Sequence, residues 1–318
     1  MLGAFLAFFS ACLHGANNAC IRRGVLTGSA SQALAFTIPM GLPLGLLAAW
    51  GSGQLFLANQ LPVTSVLMIG SAGILQYVWG RYWNYRATDA LGSVSAGPIL
   101  QSQMWVAVIL ALIFLNETMT VAKFTGMSLI FIAPLLVTYA IRKRHQYNRG
   151  LMKLQKESPE SAVKILFQPR MWAGIGCALL AALGYGISPV IVRSAVDGTG
   201  LGILAGLIAY SSATLVFALF TVIIPGQIQH IRKTSRSSAK WFLVSGLLTY
   251  LAQTAYFVAL SIAPVTVVSP IHQFALVARI VAGYFINRDH EVLTLPVIIA
   301  VFISFCGALL LAFEFIRG

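Results

Sequence analysis

Gly15-Ala16-Asn17-Asn18-Ala19-Cys20-Ile21-Arg22 and Gly186-Ile187-Ser188-Pro189-Val190-Ile191-Val192-Arg193 lie 171 residues apart and share their first and last residues. Each closes a long apolar run. An offset of 172 then lays Ala87, Pro98, Ile99, Gln101 and Glu117 over Ala259, Pro270, Ile271, Gln273 and Asp289, with one carboxylate exchanged for another at the end. Self-similarity at a fixed offset, with prolines and short loops in matching order, marks an internal duplication.

Working outward from these segments, apolar runs bounded by charges and Gly/Pro/Asn clusters fall at 2–21, 31–50, 63–84, 91–115, 121–141, 171–192, 201–224, 240–260, 265–286 and 292–315. The longest polar stretch, Arg142 to Arg170, carries eight Lys and Arg against Glu157 and Glu160 and separates two sets of five runs. The expected division is therefore 1–141, first five-helix repeat; 142–170, basic connecting loop; 171–318, second five-helix repeat.

Composition identifies the solvent. Of 318 residues 58% are hydrophobic and 9% charged, with mean hydropathy +0.84. Soluble proteins carry about 25% charged residues, and so few charges would leave wide apolar patches in water. Ten spans of about 20 residues account for about 200 positions. The stretch Met1-Leu2-Gly3-Ala4-Phe5-Leu6 lacks the basic region of a signal peptide, so it is read as the start of the first span. The expected fold class is all-α integral membrane, with ten transmembrane helices. Because five is odd, the second set re-enters the membrane upside down relative to the first. Inverted repeats with proline- or glycine-interrupted helices at equivalent positions are the signature of secondary transporters, whose substrate sites lie in a central cavity between the halves.

The duplicated layout of five plus five spans, the small polar Gly15-Ala16-Asn17 with Arg22 ending the first run, and Pro98 some twenty residues before Glu117 together resemble the drug/metabolite transporter superfamily, EamA type. Two positions depart from its pattern. His14 stands where the family usually has Trp, and no basic residue precedes the first run. The resemblance implies an exporter in the cell inner (plasma) membrane working by alternating access, and leaves the substrate open.

The 21 Lys and Arg fall unevenly between the two ends of the runs. Sixteen belong to one face: Arg22, Arg23, Arg86, the eight of the central loop, Arg232, Lys233, Arg236, Lys240 and Arg288. Lys123, Arg193 and Arg317 belong to the other, and Arg81 and Arg279 lie within spans. The positive-inside rule makes the first face cytoplasmic and places both termini outside. The resemblance implies the reverse, with both termini in the cytoplasm. The net charge of +13 is explained by those loops, and no nucleic-acid partner is expected.

A charge near the bilayer centre costs at least about 2.5–3.5 kcal/mol on insertion scales, so each needs a partner or a purpose. Arg279 is read as an anion anchor or, alternatively, as a member of a structural ion pair. His272 and Gln273 precede it by two turns on the same face, and Gln101 and Gln103 of the fourth span face them. Gln76, Trp79 and Tyr82, three apart, read either as a cavity stripe or as an interfacial belt, with Gln253 and Tyr256 as the repeat's counterpart. His14 and Asn17 hydrogen-bond across helices or line the cavity. The predicted substrate-binding set is thus Arg279, His272, Gln273, Gln101, Gln103, Trp79, Tyr82, Gln253, Tyr256, His14 and Asn17.

The function classes narrow accordingly. All eight carboxylates lie at span ends or in loops, which weakens acid-based proton coupling. No GxxxxGK[ST], GxSxG or HExxH occurs, against ATP-driven pumping and the common hydrolase and zinc-protease chemistries. The four cysteines sit in apolar runs without zinc spacing. No enzyme activity, metal or cofactor is expected. The partners are a small-molecule substrate and membrane lipid. The leading expectation is a secondary carrier of a small polar anion or zwitterion. The alternatives are a multidrug efflux carrier of the same fold, or a non-transporting membrane protein such as a lipid-modifying enzyme or scaffold.

Overall fold

In the computed structural model, residues 1–25, 28–91, 99–132, 135, 139, 171–286 and 295–317 are described. Among them every regular element is helical and none is a strand. The first half of the chain contributes α1 (Leu2–Val25), α2 (Ala30–Thr37), α3 (Gly41–Gly51), a 3₁₀ turn (Gln54–Gln60) and α4 (Val63–Gly73). A π-helical segment (Ile74–Gly80) then leads into α5 (Arg81–Leu91), and α6 (Gln103–Phe114) and α7 (Val121–Ile132) follow. The second half contributes α8 (Met171–Val196), α9 (Gly202–Ile223), α10 (Gln227–Arg232), α11 (Arg236–Ile262), α12 (Val265–His272), α13 (Ala275–Ile286) and α14 (Leu295–Arg317).

Six of these stretches are long and apolar enough to cross a membrane: Leu2–Ile21, Ser31–Gly51, Val63–Ala87, Trp172–Val196, Gly202–Ile223 and Arg236–Ile262. Their outward faces carry bare Leu, Phe, Val and Trp, such as Phe5, Leu47, Trp50, Leu67, Leu215 and Val222, as lipid requires. Backbone polar groups have no water to bond there, so helices are the form such segments take. The expected 91–115 run begins its long helix only at Gln103. The Pro98 half of the expected proline match and the basic 142–170 connection lie outside the described residues.

The interior is built on small residues. A Cβ at Gly15 would stand 2.5 Å from the Cβ of Ala278 and from the backbone nitrogen of Arg279, so only glycine lets α1 reach α13. Gly202 likewise meets the Val258 backbone, and Gly41 and Gly45 pack on Tyr210 and Leu207 of α9. Without a hydrophobic drive between helices in lipid, this close contact supplies much of the association energy.

The two repeats also break alike. Residues 101–102 form a two-residue turn before α6, and residues 273–274 form one between α12 and α13. The offset is again 172.

Candidate functional site

The π-helical segment decides which side chains enter the interior. It holds more residues per turn than an α-helix, and such segments cluster at functional sites. Gln76, Tyr77, Arg81 and Tyr85 consequently share the inward face, with Gln76 and Arg81 each 7% exposed. Trp79 and Tyr82 turn outward at 41% and 48%. There the Trp79 indole Nε1 donates to the Leu180 carbonyl at 3.0 Å, and Tyr82 packs edge-on against Trp83.

Of these, Gln76, Arg81 and Tyr85 line a small polar cavity. Asn17, Asn18 and Ile21 of α1 join His14, Thr37 closes one side, and Tyr185 of α8 with Ser245, Thr249 and Gln253 of α11 completes the wall. The cavity runs from mid-helix toward the end where α1 and α5 finish and α11 begins. That end carries Arg23, Arg86 and Lys240.

Arg81 is the cation of this space. Its Nη1 donates to Thr37 Oγ1 at 3.3 Å, and its guanidinium carbon lies 5.0 Å from the centre of the Tyr77 ring. The phenols of Tyr77, Tyr85, Tyr185 and Tyr210 stand within electrostatic reach. Nη2 is left without a well-formed hydrogen bond, as are Gln76 Oε1, Gln253 Oε1 and His14 Nδ1 around the same cavity. Buried polar groups are normally satisfied. Four such atoms belong to residues that line one cavity, which suits a polar occupant.

Among the residues predicted from sequence, the structure brings His14, Asn17 and Gln253 to the cavity wall. Asn17 accepts a hydrogen bond from the Ser245 hydroxyl across the repeats. Gln103 Nε2 donates to Gln273 Oε1 at 3.1 Å, so the fourth-span and ninth-span glutamines do meet. Gln101 is buried beside them at 5% exposure. His272 and Tyr256 lie deeper, their ring centres 4.5 Å apart. Arg279 is half-buried on α13 where α1 passes, and it does not line the cavity; neither do Trp79 and Tyr82. Arg81, Thr37, Tyr85, Thr249 and Ser245 are among the nine cavity residues missing from the predicted set, the others being Asn18, Ile21, Gln76 and Tyr185. The intramembrane-charge argument that singled out Arg279 applies equally to Arg81, which is the signal that could have found it.

At the opposite end hydrogen bonds tie the two halves of the chain. Both carboxylate oxygens of Glu117 accept backbone N–H bonds, from Val265 and Thr266 at 2.8 Å each, and so cap α12. Gln54 Nε2 donates to the Gly200 carbonyl at 3.1 Å, and Gln54 Oε1 accepts from Leu204 N–H at 3.0 Å. At the cavity end the cross-repeat tie is peripheral: Ser29 Oγ pairs with His230 Nε2 at 2.8 Å, and Gln32 donates to the His230 carbonyl at 2.8 Å. Among the described residues no group of three or more metal-ligating side chains comes together.

The molecule is thus a bundle of apolar helices in two similarly broken sets, with a polar cavity between them. The EamA-like transporter family profile matches residues 1–139 and again residues 172–313. The chain belongs to the EamA-like transporter family. The two matches cover both halves, so this member is a multi-pass integral membrane protein of a transporter family of the drug/metabolite type. A solved structure titled only "Crystal structure of protein" superposes on it with a TM-score of 0.65, covering 99% of this chain and 98% of the other at 14% identity. That likeness concerns the fold. No curated protein matches this chain.

Proposed function

We propose that this EamA-like protein is a secondary carrier that exports a small polar anion or zwitterion across the plasma membrane by alternating access. In this reading ten helices form two inverted five-helix repeats about the central cavity, with Arg81 as the seat of the negative group.

The observation that carries the reading is a buried guanidinium, 7% exposed, in a cavity whose other lining residues are all neutral side chains. Desolvating that charge is costly, and a bound anion offsets the cost through charge-assisted, bidentate bonding. Neutral amide oxygens of Gln76 and Gln253 remain for the donor groups of the same substrate.

The test is a melting-shift screen of the purified protein against carboxylates, amino acids, nucleosides and organic cations, followed by uptake into proteoliposomes. Acidic or zwitterionic compounds should raise the melting temperature. Arg81→Gln should weaken the best of them by roughly 10- to 100-fold, the worth of one or two charge-assisted bonds at about 1.5–3 kcal/mol. Stabilisation by cations alone, or anion affinity unchanged in Arg81→Gln, would defeat the reading.

A further inference from the structure

Two histidines, one from each repeat, face one another between the cavity and the ninth-span break. The ring centres of His14 and His272 are 5.2 Å apart at 62°, and His272 packs in turn on Tyr256, whose hydroxyl is held 3.0 Å from Ser269 Oγ. His14 Nδ1 and His272 Nε2 are buried without a hydrogen-bond partner. His14 lines the cavity and His272 stands behind it. The described carboxylate side chains, Glu117, Asp197 and Glu314, all lie at helix ends, so among the described residues no carboxylate stands beside the pair.

From this arrangement, and resting on the anion-carrier reading above, we infer that the His14–His272 pair is the proton site of the transport cycle and that one proton is carried with each anion. The step is a simple addition. A proton from solvent adds to the ring nitrogen bearing the lone pair, the pair becomes singly positive, and no other bond breaks. A second proton is disfavoured because the rings are adjacent.

The charges around the pair explain the coupling. On α5 stands Arg81 and on α13 Arg279, both acting electrostatically on His14. From α11 the pair meets Tyr256; the other titratable groups there are Tyr250 and, at the far start of the helix, Arg236 and Lys240. α8 offers Tyr185 near its centre, with Cys177 and Arg193 toward its ends. α14 offers Cys306 and, in its last turn, Glu314 and Arg317; α1 itself adds Cys12 and Cys20 and, in its last turn, Arg22 and Arg23, whereas α2 and α6 have no titratable residue. A proton entering alone thus adds to two fixed positive charges. An anion seated on Arg81 cancels part of that field, so each of the two ligands favours the other's binding, and by linkage the favour is mutual. A monoanion and a proton together also cross without net charge, which removes the electrostatic cost of moving an ion through the bilayer.

The experiment measures Kd by calorimetry for sodium acetate, sodium benzoate and sodium L-glutamate, whose own charges are constant between about pH 6 and 8.5. The wild type should bind at least one probe, with Kd rising by up to about tenfold per pH unit as the linked proton is lost. A His14→Gln/His272→Gln double variant should bind with a Kd that no longer follows pH. Each single variant is measured alongside, on samples that elute as one peak. A wild-type Kd flat with pH, or a double variant with the wild-type slope, overturns the proton site and leaves the carrier reading standing. Failure of every probe to bind at any pH removes the anion site itself, and this inference with it.

Discussion

At the scale of single residues, Arg81 and Arg279 show what sequence can and cannot tell. Both are lone arginines in apolar runs, and the desolvation argument treats them alike. Only the interior separates them: Arg81 lines the cavity and reaches Thr37 and the Tyr77 ring, whereas Arg279 sits where α13 abuts Gly15. The same holds for the Gln76, Trp79, Tyr82 stripe. A spacing of three shares one face in an α-helix, but the π-helical segment between Ile74 and Gly80 changes the angle per residue and sends Trp79 and Tyr82 outward. Trp79→Leu and Tyr82→Leu should therefore leave anion Kd within about twofold, surface changes away from a site being worth no more than about 0.5 kcal/mol. A tenfold loss in either would put them back in the binding surface. His14, Asn17 and Gln253 were legible because α1 and α11 are regular around them.

At the scale of elements, breaks matter more than lengths. The turns at residues 101–102 and 273–274 share the offset that the sequence displayed through Gln101 and Gln273, so the repeat extends from residue identity to backbone path. The pairing of Gln103 with Gln273 was not visible in the offset, since it joins one repeat to the other rather than matching equivalent positions. Glu117 is the clearest element-scale device, a carboxylate at the end of one repeat capping the helix that begins the other repeat's broken span. Helix N-termini attract negative charge. Glu117→Gln keeps the shape and one acceptor oxygen but loses the charge, and should cost about 1–2 kcal/mol. It is read as a lower melting temperature in the absence of any added anion. An unchanged melting temperature would show that the tie contributes nothing to the ground state.

At the scale of the whole molecule, the basic face and the cavity coincide: the polar space runs toward the end bearing Arg23, Arg86 and Lys240. Charge distribution predicts that this face is cytoplasmic and that Gly318 lies outside. A green fluorescent reporter fused after Gly318 should then be dark and an alkaline phosphatase fusion active. The opposite pair of results would reverse the orientation and with it the side from which the cavity is entered. Class, lipid solvent and duplication could be read from composition and offset because each depends on averages over many residues. The position of the cavity could not, because it depends on one irregular segment and a few helix ends.

The tie at Glu117 also bears on transport kinetics. A molecule resting with one mouth held shut presents its binding site to one compartment for most of the time, and apparent affinity scales with the fraction of molecules that are binding-competent. Substrate offered from the basic side should accordingly show a lower KM than substrate offered from the other. Microscopic reversibility nevertheless fixes Vmax/KM as equal from both sides when no gradient is imposed, so the slower direction must be the one with the lower KM. Loosening the tie by Glu117→Gln would bring the two KM values together without altering that equality.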